Sequence, residues 1–488
     1  MSPYWFLIPI FLPILGGMLM YIRHEQFFKF RNIYSVALVT VNALIVWAMI
    51  LFCGDESVEL FRLTDSLALT LRFDGMGRLF AGLSATLWPL TTLYAIGYMR
   101  YENNRILFFS FFVMSFGVTM GICAAGNLLT LYCFYEMLTL STIALVIHPM
   151  TKEAQRAARV YVLYSIGGAA FAFIGLMFLH VSGVDLTFVL GGSLQDVMVQ
   201  NKDLFLFIYC VMFLGLGVKA AIFPLHAWLP TASVAPTPVT ALLHAVAVVK
   251  AGAFALIRLT YYCYGTEFLR GTWAQNVVMG LAMVTILYGS AMALKQQHFK
   301  RRLAYSTVSN LSYIIFGLTI MTPEGMAAAL LHLLFHAVIK ILAFFCAGNA
   351  QHAHLYYVQQ LPGAAKRMPV TFITFAVSAL ALTGVPPLNG FVSKFGLLSA
   401  AAASDNPVAY GGMVALLISA LLTAMYTFTP MVRAFFPARE ETEAPHTAHE
   451  AERVMLAPMI ILAAAVVLMG LFAGPFADLT ARIAAGLY

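Results

Sequence analysis

Lys219-Ala-Ala-Ile-Phe-Pro-Leu-His-Ala-Trp-Leu-Pro230 places a lysine and two prolines inside an otherwise apolar segment. A proline removes a backbone donor and clashes with the preceding turn, so this stretch predicts a broken helix. In a membrane such a break survives only where protein or water satisfies the freed groups. A second break, Gly384-Val-Pro-Pro-Leu-Asn-Gly390, has Lys394 one turn beyond it. The two interruptions lie five apolar segments apart, which predicts two five-helix repeats, about 106–257 and about 273–432. An odd number of helices per repeat makes the second copy insert upside down.

The rest of the chain supports a membrane setting. Of 488 residues, 61% are hydrophobic and 10% charged, and the mean hydropathy is +0.85. A soluble protein usually carries about 25% charge. Apolar runs long enough to cross about 30 Å of hydrocarbon recur along the whole length. They predict spans near 2–22, 33–53, 76–97, 106–124, 127–147, 157–181, 204–229, 236–257, 273–294, 303–321, 325–348, 369–398, 408–432 and 455–474. The expected fold is an all-α membrane protein of about fourteen transmembrane helices, with the seventh and twelfth broken. It forms one polytopic domain, its flanking helices in 2–97 and 455–474. The short alternating segments of a β-barrel are absent. The first apolar run lacks a basic leader and a small-residue cleavage site, so it reads as a retained helix.

Charge and cysteine usage narrow the class. The net charge of +7 invites a nucleic-acid partner, but its distribution follows topology. Seventeen Lys and Arg residues fall in one set of loops and seven on the opposite side: Arg62, Arg72, Arg78, Lys202, Arg258, Arg270 and Arg482. The positive-inside rule then places both termini outside; the expected location is a bacterial or archaeal cytoplasmic membrane. The six cysteines are scattered singly with no CxxC spacing, which reads as buried structural thiols.

Five ionisable residues remain within the apolar spans: Glu136, Lys219, Lys250, Lys340 and Lys394. Each costs at least about 2.5–3.5 kcal/mol at the bilayer centre, so the default reading is an ion or proton path. Glu136 is the only acidic residue in any predicted span, and Lys219 is its natural partner. Separating such a pair releases a proton; a static pair locking two helices is the plainer alternative. His332, His336 and Lys340 are spaced i, i+4, i+8 and share one helix face over roughly 12 Å. That face suits a proton relay. Core histidines, or a zinc site without a third ligand in sequence, are the competing readings. His244 and Lys250 are six residues apart and fall on different faces of one helix, and Lys250 could instead snorkel toward Arg258 at the surface. Lys300, Arg301 and Arg302 read first as positive-inside anchors and second as a half-channel mouth. His226 lies within the first break, where it could link Lys219 to its surroundings.

No P-loop and no Rossmann glycine fingerprint occurs, so no nucleotide or redox cofactor is expected, and no metal or catalytic centre. An ion gradient or a partner must drive whatever the chain does.

Several motifs together resemble the antiporter-like proton-channel subunits shared by respiratory complex I, energy-converting hydrogenases (formate hydrogenlyase among them) and multisubunit cation/proton antiporters. They are Tyr135-Glu136-Met137, Val218-Lys219 with Pro224–Pro230, Ala235–Gly252, Arg302–Ser309, His336-Ala-Val-Ile-Lys340 and Gly384–Lys394. The resemblance covers about 100–400 and implies roles. Glu136 and Lys219 would be the gating pair, Lys250, His332, His336 and Lys340 the central hydrophilic axis, and Lys394 the exit. His244 and Lys300 are expected on the same path. Some relatives have glutamate at the Lys394 position, so lysine argues against that subtype. Where the family often has an acidic residue two before Lys300, this chain has His298, which puts the input side in question. The largest relatives append a long lateral amphipathic helix after the fourteenth span; the stretch up to Tyr488 has no room for one, so the chain is not expected to be that terminal subunit.

The resemblance favours a proton-translocating subunit of a redox-driven complex resembling NADH-quinone oxidoreductase or hydrogenase, with no redox centre of its own. A subunit of a multisubunit Na⁺/H⁺ antiporter is the alternative, and a non-conducting structural subunit the third reading. Expected partners are further antiporter-like membrane subunits, a redox arm, lipid and protons or Na⁺, with no nucleic acid.

Overall fold

The computed structural model describes residues 3–27, 29–64, 67–194, 201–436 and 448–487. Helices α1 (Ile8–Ile22), α2 (His24–Phe27) and α3 (Arg31–Phe52) lead into a β-hairpin and α4 (Gly75–Tyr98). Helices α5 (Arg105–Cys123), α6 (Leu128–Val146), α7 (Lys152–Val181), α8 (Lys202–Gly217) and α9 (Trp228–Ala232) follow. Then come α10 (Thr237–Ala245), α11 (Val248–Ile257) with a π-helical turn at Arg258–Tyr264, and the short α12 (Thr266–Leu269). The next group is α13 (Trp273–Lys295), α14 (Phe299–Thr319), α15 (Pro323–His352), α16 (Pro369–Thr383), α17 (Asn389–Ala402) and α18 (Pro407–Phe435). Helices α19 (Arg453–Leu471) and α20 (Gly474–Ala484) complete the described chain.

The starts of these helices follow from sequence. Asn127, Thr151, Asn201, Thr272, Thr322 and Asn406 each cap a helix through the side-chain oxygen, satisfying a first-turn donor. Prolines 238, 323, 369 and 407 sit in first turns, where the missing N–H costs nothing.

Every predicted span falls on a helix or a broken pair of helices. Among the described residues, eleven helical stretches are long and apolar enough to cross a membrane. Three predicted spans fall short of that measure. Two are the broken pairs α8/α9 and α16/α17, and the third is α14, whose first turn holds Lys300, Arg301 and Arg302. The hairpin was not anticipated. Strand β1 (Ser57–Thr64) pairs antiparallel with β2 (Leu67–Arg72), Ser57 opposite Arg72.

The centre of the molecule is α10, α11 and α15, which are buried almost throughout. Helix α15 packs on α10, α14, α16, α17, α19 and α20. Helix α15 therefore lies among the helices of the second half and the C-terminal end, and it is the helix that carries His332, His336 and Lys340.

The backbone freed at the first break finds protein partners. Leu216 O accepts from the Tyr135 hydroxyl at 2.7 Å, Val218 O from the Trp228 indole at 2.7 Å, and Phe223 N donates to Thr285 Oγ1 at 3.0 Å. At the second break Gly384 closes α16 with φ of 93°, a left-handed conformation that glycine adopts without strain. A third interruption was not legible. Helix α10 stops at Ala245 and α11 starts at Val248, with Val246 and Ala247 outside helical geometry.

Candidate functional site

The first link is Glu136 and Lys219. Helix α6 brings Glu136 to Lys219 at the start of the break, with Nζ 3.6 Å from Oε1. The Lys219 amine also donates to the Tyr135 carbonyl and lies over the Tyr135 ring, 3.4 Å from its centroid. Lys219 is fully buried, whereas the Glu136 side chain is 26% exposed, beside Met137 and Leu140 on the outer face of α6. The carboxylate thus sits at the rim of the bundle, not in its interior as the apolar sequence implied. Gly252 joins this pair to the next element, because a Cβ there would collide with the Lys219 and Ala220 backbone. Its absence lets α11 press directly onto the break.

Lys250 projects from α11 into the centre and is fully buried. Its Nζ meets His336 Nδ1 at 2.5 Å, so the lysine does not snorkel outward. The His336 ring stacks near His332, centroids 5.6 Å apart, and His332 Nδ1 meets Ser393 Oγ at 2.9 Å. Lys340, two turns from His332 on the same face, donates to Leu303 O at 3.0 Å and Ser306 Oγ at 2.7 Å. Lys394 turns back onto the end of α16, donating to Leu382 O at 2.5 Å and Thr383 O at 3.1 Å. These carbonyls are orphan acceptors at the negative end of a half-helix, which suits a cation. The Tyr313 ring lies 5.3 Å from Lys394 Nζ and 5.4 Å from the His332 ring.

His244 lies on the last turn of α10, its ring 4.9 Å from Phe344, and neither ring nitrogen has a hydrogen-bond partner. The break after Ala245 removes the premise that His244 and Lys250 sit on two faces of one continuous helix. His226 is buried between Phe223 and Tyr288, and among the described residues no hydrogen bond or ring contact joins it to Lys219.

Two surface assignments need correcting. Lys300 and Arg302 are buried, and only Arg301 of the basic trio is exposed. Lys300 Nζ donates to Ala235 O at 2.5 Å, and Arg302 donates to carbonyls of Gln296, Tyr426 and Leu294. Arg258, assigned to a helix margin, is fully buried and forms a two-bond pair with Asp74 at 2.5 and 2.6 Å. Asp74 is the N-cap of α4, one residue before the helix begins, and so lies outside the predicted spans. His298, at the mouth of α14, is lowered to about 4 by burial and then by the Lys300 and Arg301 charges. It is neutral at physiological pH and does not replace the missing carboxylate.

A hydroxyl network beside the row was also missed. Ser306 Oγ meets Tyr426 OH at 2.8 Å, and Tyr426 OH donates to Thr423 Oγ1 at 3.1 Å. Ser419 Oγ accepts from Tyr313 OH at 2.7 Å and meets Ser290 Oγ at 2.5 Å and Ser309 Oγ at 3.1 Å. The i, i+4, i+7 spacing of Ser419, Thr423 and Tyr426 on α18 was the available signal.

Comparison with known proteins fits this arrangement. Residues 125–423 match the family model described as NADH:quinone oxidoreductase/Mrp antiporter, TM. The chain belongs to that family. A Rhizobium meliloti (strain 1021) protein, named as the A/B subunit of a probable K(+)/H(+) antiporter, is 33% identical over 421 residues, covering 84% of this chain and 41% of that protein. The A1 subunit of a Na(+)/H(+) antiporter from Staphylococcus aureus (strain JH9) is 29% identical over 427 residues, covering 83% and 52%. The chain therefore spans about half the length of these curated relatives. Two solved structures share the fold, each with a TM-score of 0.86. One is a chain of the membrane-bound sulfane sulfur reductase, an archaeal respiratory membrane complex, at 23% identity with 98% of this chain and 96% of that one covered. The other belongs to the Mrp complex from Dietzia sp. DQ12-45-1b, at 19% identity with 100% and 98% covered. This family member is an integral membrane protein of antiporter-like type.

Proposed function

We propose that the chain is an ion-translocating subunit of a multisubunit cation/proton antiporter, working with other membrane subunits and driven by the ion gradient. The observation that carries the reading is the buried row itself. Lys250, Lys300, Lys340 and Lys394 are held by carbonyl, hydroxyl or imidazole groups; among the described residues none has a carboxylate within 4 Å, although Lys300 feels the Glu102 charge from farther off. Amines held in this way are suited to passing a proton and unsuited to cementing helices, since an unpaired buried charge is costly. Buried nitrogens without protein partners, His244 Nδ1 and Nε2, His332 Nε2 and His336 Nε2, are positions that ordered water takes.

In this reading Glu136 and Lys219 form the switch. Lys250, His336, His332 and Lys340 form the axis, Lys394 lies at its far end, and His244 and Lys300 at its margins. Fourteen crossings are inferred, counting α14 and the two broken pairs, with both termini outside in a bacterial or archaeal cytoplasmic membrane. Repeat one holds α5 to α11 and repeat two α13 to α18. The third helix of each, α7 and α15, is 30 residues long and the fourth is broken. The named relatives favour the gradient-driven assembly over a redox-driven one. A redox-driven complex is the second reading, favoured by the fold shared with the archaeal respiratory complex.

The deciding experiment uses everted membrane vesicles containing the native assembly, with a pH-sensitive dye. Adding Na⁺ or K⁺ to energised vesicles, with no specific electron donor for this complex, should collapse the proton gradient. Proton movement that appears only with turnover of a co-purifying redox subunit would overturn the antiporter reading.

A further inference from the structure

A groove of about 340 Å³ runs between α3, α4, α15, α19 and α20, on the side of α15 turned away from the buried row. Its walls are almost wholly apolar, with Trp47 and Ile50 on one side, Leu83 and Leu90 at the back, and Ile461 and Met469 opposite. Its volume falls in the range of sites that enclose a ligand of several hundred daltons. Arg78 stands at one end. The lining continues along α4 from Arg78 to Leu90, twelve residues or about 18 Å of helix, a little more than half of an about 30 Å hydrocarbon layer.

Arg78 lies in the first turn of α4, near the end of an apolar helix long enough to cross a membrane. Its Nε donates to Phe73 O at 2.9 Å and its Nη2 to Cys53 O at 3.0 Å. Cys53 is the cap that ends α3, and Phe73 lies just before α4 begins. These bonds fix the guanidinium at the level where helices leave the hydrocarbon, and they leave Nη1 over. The groove is open because position 82 is glycine; a Cβ there would approach Ile50 Cδ1 to 3.2 Å.

We propose that this groove is a phospholipid site, with one acyl chain along α4 and the phosphate on Arg78. A channel one leaflet deep, apolar along its length and cationic at its interfacial end, matches that molecule in shape and charge. Guanidinium is a planar, permanently charged donor suited to phosphate oxygens. The site has a consequence for the row. Leu334 and Val338 form the inner wall, and on α15 they lie on the side opposite His332, His336 and Lys340. A bound acyl chain therefore backs the helix that carries the central axis and holds its packing from behind.

The test is native mass spectrometry of the full chain, with its co-purifying subunits, extracted in mild detergent and re-exposed to phosphatidylglycerol. The wild type should retain one tightly held lipid. Gly82→Leu, which fills the groove, and Arg78→Gln, which removes the cation without adding bulk, should each lower that occupancy at least threefold. Leu163→Ala on the outward face of α7 should leave it unchanged. Wild-type occupancy in both Gly82→Leu and Arg78→Gln would overturn the proposal. So would efficient photo-cross-linking from position 47 to a partner protein, which would show protein covering the groove. Should Gly82→Leu fail to accumulate, Arg78→Gln alone decides, because it alters a rim residue outside the packed core.

Discussion

Replacing Glu136 with glutamine removes one charge of the switch and almost none of its volume. At the observed 3.6 Å, the Coulomb attraction between Glu136 and Lys219 is about 4–5 kcal/mol for an effective dielectric of ~20. The carboxylate is partly exposed, so the felt interaction is smaller, yet about 1.4 kcal/mol already changes a rate tenfold. Lys219 keeps its bond to the Tyr135 carbonyl and its place over the Tyr135 ring, so the fold should hold while the balance between paired and separated states shifts. Glu136→Gln should lower cation-driven proton movement in everted vesicles at least tenfold, at unchanged abundance and unchanged subunit composition. Glu136→Asp keeps the charge but withdraws it by one methylene, and should fall between. A Glu136→Gln protein that transports at the wild-type rate refutes the switch and leaves a static helix lock as the role of the pair.

Other consequences follow from the same geometry. Asp74→Asn strips the counter-charge from the fully buried Arg258 and should cost about 3–5 kcal/mol, read as a lower thermal midpoint; Asp74→Asn with Arg258→Met should recover part of that loss. Gly252→Leu forces a side chain against the Lys219 and Ala220 backbone, with an overpacking cost of about 1–3 kcal/mol and reduced transport, whereas Gly167→Ala, which meets nothing, should be silent. His298, lowered to about 4 by burial, takes up a proton more readily in the unfolded chain. Its contribution makes stability fall as pH drops below about 6.5, and His298→Gln should flatten that part of the stability profile without altering transport at pH 7.

How far the sequence carried the account depended on the kind of signal. Lys219, Lys250, Lys340 and Lys394 stood out because a charge in an apolar run needs a reason. The i, i+4, i+8 spacing put His332, His336 and Lys340 on one face without further information. Prolines 224, 230, 386 and 387 announced two of the breaks. The break after Ala245 has no proline or glycine, only a run of alanine and valine, so nothing local foretold it, and the premise of one continuous helix with His244 and Lys250 on different faces went with it. Contacts across long separations were invisible for a different reason. Asp74 and Arg258 are 184 residues apart, and nothing in the sequence near either one points to the other. Lys300 and Arg302 looked like surface anchors because the positive-inside count weighs charge and not burial. Ser290, Ser309 and Ser419 meet only when α13, α14 and α18 pack, and a serine in a membrane helix draws no notice by itself.

The central claim is that buried amines and imidazoles carry the transported proton, and Lys250 is the amine in direct contact with the His336 imidazole. The most direct measurement is cation-dependent proton flux in proteoliposomes holding the intact assembly, with Lys250→Met compared against the wild type at equal incorporation. Flux should fall to the level of protein-free liposomes. Flux at the wild-type rate would contradict it.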